Sequence, residues 1–363
     1  MPILKSTSVA FLSFALLCSA AVQPASAAMI GVVAPKTGPY AALGEQVFQG
    51  ARAAAQAAGD TLVEVDEPCE EAGGDRVAQA LADGRAQVAV GFLCVETLTT
   101  ALPVLARDNI PTITISVRSK ILMEDALRNN WPFFRMAPSE SAEADALAQA
   151  IGRLWKAEPV AFVDDGTIYG RELVAAVRQK LEPLGISPVF TDTLRPGQEQ
   201  QIALVRRLQK AGASHLLLGA DRNDAAVIAR DAAAENIPMT LLGGDALRAA
   251  DRPVPLRNGV LAVALPTYEL APVAAETVNA LRAKTIEPEG HVLPAYAAVQ
   301  VAGQAVDAAD AGETPVPAAL AEARFNTVIG EIGFTKEHEL ADNPYRLLEW
   351  RRPDFVLPPS PTE

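Results

Sequence analysis

Residues 30–59, IGVVAPKTGPYAALGEQVFQGARAAAQAAG, carry the decisive pattern. The first five residues are an apolar strand, Gly38-Pro39 is a turn, and an Ala-rich helical pattern runs from about 42 to 58 and stops at a glycine. An apolar strand followed directly by a helix is the first half of a βαβ unit, because parallel strands need a crossover connection. The loop between them turns its backbone N–H groups toward whatever lies beyond the carboxyl end of the strand. It is a permissive loop: neither G-x-x-x-x-G-K-[ST] for a triphosphate nor G-x-G-x-x-G for a dinucleotide is present.

The alternation continues outward from this stretch. TLVEV, QVAVGF and PTITIS are strand-like, and helical patterns fall at about 75–83 and 97–107. PFFRMA then enters SESAEADALAQAIGRLW, where Ser139 or Ser141 is placed to cap a helix whose acidic first turn suits the helix dipole. A second set follows: PVAFVDD, SPVFTDT, SHLLLGA, MTLLGG and GVLAVALP as strands, with helices at about 170–184, 199–211 and 223–235 between them. Helices at LAPVAAETVNALRAK and AYAAVQVAGQAVDAADAG and short strands at TVIGEIGF and YRLLEW complete the order, and RRPDFVLPPSPTE, with four prolines, is expected to be a surface tail. The fold class is α/β, with two similar parallel sheets whose ligand crevice lies at the carboxyl ends of the strands.

Residues 1–28 have one early lysine, an apolar run from about Val9 to Val22 and small residues at Ala25 and Ala27. This is the pattern of an export signal, with cleavage expected after Ala27 or Ala28. The run is shorter than a spanning helix and holds Ser13 and Ser19. Lipid attachment at Cys18 is disfavoured by the bulky Leu17 before it. A formal charge of -13 without clustered lysines and arginines argues against a nucleic-acid binder. Half of the 363 residues are hydrophobic, enough for two cores. Once Cys18 leaves with the signal, Cys69 and Cys94 remain, and an exported chain with one pair is expected to join it, for roughly 3 kcal/mol; two free buried thiols are the alternative. His215, His291 and His338 are scattered in sequence and suggest neither a metal site nor a catalytic set, and no G-x-S-x-G elbow is present.

The runs GVVAPKTGPYAALGEQVFQGA, VAVGFLC ending in Cys94, FFRMAPSES, FVDDGTIYGREL, LLGGD, LPAYAAVQVAGQAV and FNTVIGEIGF together resemble the type I periplasmic solute-binding proteins of the leucine/isoleucine/valine-binding group. The resemblance spans the chain beyond the signal. It implies two αβα Rossmann-like lobes joined by a three-segment hinge near 135–138, 264–268 and 327–334. Lobe one would be 29–137 plus 268–327, lobe two 138–267 plus 328–350, and 351–363 a C-terminal tail. It also implies a monomeric, non-enzymatic periplasmic receptor without a cofactor, which closes over a small solute and delivers it to ABC permease subunits in the membrane. A sensory protein coupled to a chemoreceptor or kinase would share this fold, with an exported hydrolase as the remoter alternative; neighbouring permease or signalling genes separate the first two.

In such proteins, hydroxyls and backbone N–H groups of the loop after the second cysteine and of the loop after the fourth strand hold the solute carboxylate. The matching positions are Val95, Glu96, Thr97 and Ser116, Val117, Arg118. The acid after LLGG, expected to meet an ammonium, is Asp245, and the aromatic of the second-lobe loop is Tyr169. Tyr40 either touches solute or decorates the rim. Where the family carries a hydroxyl, Arg118 offers a fork that can clasp a carboxylate, unless it pairs with Glu96. Tyr296 is expected in the core. Asp164 and Asp165, consecutive at a strand end, point to opposite sides and are expected to anchor their loop.

Overall fold

The computed structural model describes residues 27–250 and 253–358. The expected export signal lies outside the described residues except for 27 and 28, as do residues 359–363 of the expected tail.

The first sheet has five parallel strands in the order β2-β1-β3-β4-β5: β1 (Met29–Ala34), β2 (Thr61–Asp66), β3 (Val88–Gly91), β4 (Thr112–Thr114) and β5 (Phe133–Arg135). Apart from its first residue, β1 is buried throughout because helices cover both faces, which is why its sequence is apolar without alternation. On one face pack α1 (Ala41–Ala58), α9 (Ala275–Ala283) and α10 (Val292–Gly312), and on the other α2 (Gly74–Asp83), α3 (Val95–Arg107) and α4 (Lys120–Arg128). Tyr296 lies in the core of this lobe, as expected. Gly91 ends β3 at φ +109, where a Cβ would fall 2.2 Å from the Val33 carbonyl oxygen, so only glycine allows β3 to leave the sheet beside β1.

The second sheet repeats the design. β6 (Val160–Asp164), β7 (Phe190–Thr193), β8 (His215–Gly219), β9 (Thr240–Gly243) and β10 (Leu261–Ala264) run parallel in the order β7-β6-β8-β9-β10. One face is covered by α5 (Ala142–Leu154) and α6 (Ile168–Leu181), the other by α7 (Ile202–Lys210) and α8 (Arg222–Ala234). Ser141 occupies the N-cap of α5, yet its hydroxyl donates to Asp145 at 2.8 Å and caps no backbone N–H.

Two differences concern the chain end. The short α11 (Val316–Glu322) leads into β11 (Arg324–Thr327) and β12 (Gly330–Gly333), which pair only with each other. Phe325, Val328, Ile332 and Phe334 bury against the first lobe. Residues 328–334 therefore belong with lobe one, not lobe two, and the third crossing lies between Leu340, packed on the first core, and Tyr345, buried in the second. The other crossings run from Met136 to Ala142 and from Leu265 to Tyr268. Secondly, β13 (Arg346–Arg351) adds antiparallel to β10, and β14 (Asp354–Val356) folds back on it, so 354–356 is a strand rather than loose tail. Trp350 explains this: it is 6% exposed, donates Nε1–H to the Leu256 carbonyl at 3.0 Å, and lies under Arg222 and beside Phe355.

Candidate functional site

In a sheet of order 2-1-3-4-5 the chain winds in opposite directions from its first strand, which opens a crevice beyond the carboxyl ends of that strand and its neighbour. Both sheets have this order, with switch points at β1/β3 and β6/β8. At the first switch point a cavity of about 600 Å³ is lined by Tyr40 after β1, by Cys94, Val95 and Glu96 after β3, and by Ser116 and Arg118 after β4. A contiguous cavity of about 330 Å³ shares Ser116, Arg118 and His291 with it and reaches the second crossing at Leu265 to Glu269. Two other hollows of about 500 Å³ lie wholly on lobe two, so neither can couple binding to lobe movement.

Tyr40, Val95, Glu96, Ser116, Val117 and Arg118 are thus brought to one wall. Thr97 is not: it is 0% exposed in the first turn of α3, and its hydroxyl faces the interior without a partner. The expectation that this hydroxyl meets solute is corrected, because helix geometry turns position 97 toward the core face that also holds Leu98 and Ala101. Two of the expected backbone donors are already committed. Ser116 and Val117 give their N–H groups to the Thr114 hydroxyl at 3.3 and 3.0 Å, and Leu93 and Cys94 give theirs to the buried Glu67 carboxylate at 2.8 and 3.0 Å. Glu67 is 1% exposed, and burial pushes its carboxyl up to about 7 despite those two hydrogen bonds. Beside it the Cys69 and Cys94 sulfurs stand within disulfide-bonding distance of each other.

Arg118 makes no ion pair with Glu96 among the described residues. Its Nη1–H instead donates to the Tyr345 hydroxyl at 3.4 Å, a long bond that leaves most of the fork open.

Tyr169 and Asp245 meet on lobe two through Glu143. The Glu143 Oε1 accepts from the Tyr169 hydroxyl at 2.8 Å and from the Asp245 backbone N–H at 2.6 Å. The Asp245 carboxylate accepts from Leu265 N–H at 3.1 Å and so ties β9 to the second crossing. Burial raises the Glu143 carboxyl, these two donors oppose the shift, Asp245 adds to it, and Arg118 across the cleft lowers it. Gly244 makes the close approach possible, since a Cβ there would lie 2.1 Å from Glu143 Oε1 and 2.5 Å from the Tyr169 oxygen. Asp164 and Asp165 anchor their loop as expected: Asp164 accepts from Gly166 N–H, and Asp165 from both donors of Thr167, the N-cap of α6.

Sequence reading missed Glu143, Glu140, His291, Arg248, Tyr268 and Tyr345. Glu143 was visible only as a first-turn acid in SESAEAD, a pattern that dipole pairing explains equally well. His291, far from both cysteines in sequence, shares their cavity, and burial holds it below the usual imidazole range.

At the edge of the hinge, Arg135, the last residue of β5, is 1% exposed and lies 2.9 Å from Glu339, just before the third crossing. The charges are close, although the N–H direction gives no well-formed hydrogen bond. Arg135 N–H also donates to the His338 carbonyl, and the His338 ring stacks on Phe134, which ties the end of β5 to the segment that enters the third crossing.

The sequence profile of the periplasmic binding protein family matches residues 28–354. The chain is 29% identical over 340 residues to an amino acid binding protein of Pseudomonas aeruginosa, covering 89% of this chain and 90% of that one. It is 27% identical over 338 residues to Leu/Ile/Val-binding protein homolog 3 of Brucella melitensis biotype 1, covering 88% and 90%. Among solved structures, one from Rhodospirillum rubrum ascribed to a branched-chain amino acid ABC transporter superposes with a TM-score of 0.77 at 21% identity, covering 92% of this chain and all of the other. An ABC transporter substrate-binding protein of Desulfitobacterium hafniense in complex with Leu gives 0.63 at 19%, covering 91% and 99%. A solute-binding protein of R. palustris in complex with benzoate gives 0.57 at 20%, covering 91% and 95%.

Proposed function

Because the chain belongs to the periplasmic binding protein family across nearly its whole length, we propose that it is the periplasmic receptor of an ABC-type importer. It captures a small carboxylate-bearing solute, an amino acid or a related acid, between its lobes and presents it to membrane permease subunits. The protein binds and releases this solute unchanged. Residues 1–28 act as its export signal, and it works as a monomer without a nucleic-acid partner. Among the described residues no helix is long and apolar enough to cross a membrane.

The observation that carries the reading is Arg118. It stands on the wall of a cavity at the first switch point, with one long hydrogen bond and, among the described residues, no carboxylate partner, opposite the Glu143, Tyr169 and Asp245 cluster of the second lobe. A guanidinium so placed offers two parallel donors to a carboxylate. Glu96 and Glu140 on the same cavity wall favour a cationic group nearer the mouth. The relatives point to amino acids, and the neighbours that hold Leu and benzoate share only the carboxylate, the group Arg118 suits.

A thermal-shift screen of amino acids, aromatic acids and small aliphatic acids tests this. A solute at 100 times its dissociation constant raises stability by about 2.7 kcal/mol. Shifts confined to compounds lacking a carboxylate, or catalytic turnover of a bound compound, refute it. Scattering by the same samples should show a smaller radius at saturation, since contacts from both lobes favour closure.

A further inference from the structure

We propose that the hinge-side end of the cleft is an anion subsite, where Arg118 of the first lobe and Arg248 of the second close together on the carboxylate of the solute. This rests on the cleft being the solute site and adds to it the residue that couples binding to closure.

The two guanidiniums come from different lobes yet line the same cavity of about 330 Å³, together with Ser116, Thr267, Tyr268 and His291. Arg248 is aimed by the second crossing: its Nη1–H donates to the Leu265 carbonyl and its Nη2–H to the Thr267 hydroxyl, both at 2.8 Å. Arg346, where the third crossing enters β13, gives Nη1–H to the carbonyls of Asn343 and Tyr345. Among the described residues, none of Arg118, Arg248 and Arg346 has a carboxylate oxygen within the 4.0 Å of an ion pair. Arg52, Arg207 and Arg324 pair with acids on open surface, whereas Arg107 and Arg195, like Arg118, Arg248 and Arg346, do not among the described residues, so it is the shared cavity that sets Arg118 and Arg248 apart.

The fields of all three arginines converge on the Tyr268 phenol. Burial pushes it above the usual range, while Arg346, Arg248 and Arg118 pull it down. Glu269 lines the same cavity, and Glu143 and Asp245 lie beyond it on lobe two, so the subsite is positive at the hinge and acidic farther out. His291 adds no charge near neutral pH because burial lowers its pKa. Two like charges facing one small cavity repel each other and oppose closure until an anion sits between them. A carboxylate has two oxygens and can accept from both forks at once.

The test uses calorimetry and small-angle scattering on the full mature chain with L-leucine, benzoate and succinate, and with leucinamide and benzamide as counterparts that lack the carboxylate. The wild type should bind at least one acid with a decrease in radius, and bind its amide far more weakly. Arg248→Gln should weaken that acid by about 10-fold or more and abolish the decrease in radius. Arg248→Lys, which keeps the charge and loses the fork, should fall between them, and it decides the matter if the Gln protein unfolds early in the absence of ligand. Arg248→Gln binding within about twofold of wild type, with the same compaction, overturns the subsite while the receptor reading stands. Binding and closure with an amide but no acid overturns it likewise. If no probe binds at all, the subsite falls together with the carboxylate reading of the cleft.

Discussion

Replacing Glu67 by glutamine should remove a pH-dependent loss of stability of about 3 kcal/mol. Glu67 is 1% exposed at the end of β2, and its two oxygens accept from Leu93 and Cys94. Burial, reinforced by Glu96 and Asp66, raises its carboxyl from an ordinary 4.5 to about 7 in the folded state. The folded protein therefore keeps a proton that the unfolded chain releases near 4.5. Stability falls as pH rises from about 4.5 to about 7 and is flat beyond. At 1.36 kcal/mol per pH unit the loss is about 3 kcal/mol. Glutamine cannot ionise, but its Nε2 cannot accept, so it gives up one of the two backbone hydrogen bonds at every pH, at a cost of about 1–3 kcal/mol. Urea unfolding of oxidised wild type and Glu67→Gln should give a mutant less stable by that amount at pH 4.5, and a difference that moves by about 3 kcal/mol in the mutant's favour by pH 8. The pH dependence of Asp224, which burial also raises, cancels in the difference. A constant gap between the two proteins across this range would refute the reasoning.

Gly244→Ala should weaken any solute that closes the cleft by about 10-fold and cost roughly 1–3 kcal/mol, since the new methyl meets Glu143 Oε1 and the Tyr169 oxygen; unchanged affinity in calorimetry contradicts this. Arg135→Met strands Glu339 at the edge of the hinge and should destabilise by about 3 kcal/mol in denaturant, with Glu339→Leu in the same chain recovering most of the loss. Replacing both Cys69 and Cys94 by serine should lower stability by about 3 kcal/mol while far-ultraviolet circular dichroism at 25 °C stays the same; a wild-type urea midpoint in the double variant argues against a stabilising crosslink.

Different parts of the site were legible to different degrees, for physical reasons. Strand order made a crevice at the carboxyl ends of the strands readable, and the family resemblance supplied the positions that line its lobe-one wall. Thr97 was misread because sequence adjacency to Glu96 says nothing about which face of α3 a residue takes. The backbone donors of Ser116 and Val117 were misread because the Thr114 hydroxyl takes both N–H groups. Glu143 stayed hidden because its partners, Tyr169 and Asp245, are 26 and 102 residues away. The third crossing was placed too early because TVIGEIGF looks like a sheet strand, whereas β11 and β12 satisfy their hydrogen bonds as an isolated hairpin on the first core.

Periodicity and turn chemistry were enough to determine two wound α/β lobes, since those properties depend on neighbours along the chain. Tertiary structure alone decided which arginines remain without acids, which backbone donors are already taken, and how three crossings converge on one hinge. Burial and charge pairing depend on residues hundreds of positions apart, and no local pattern records which of them meet.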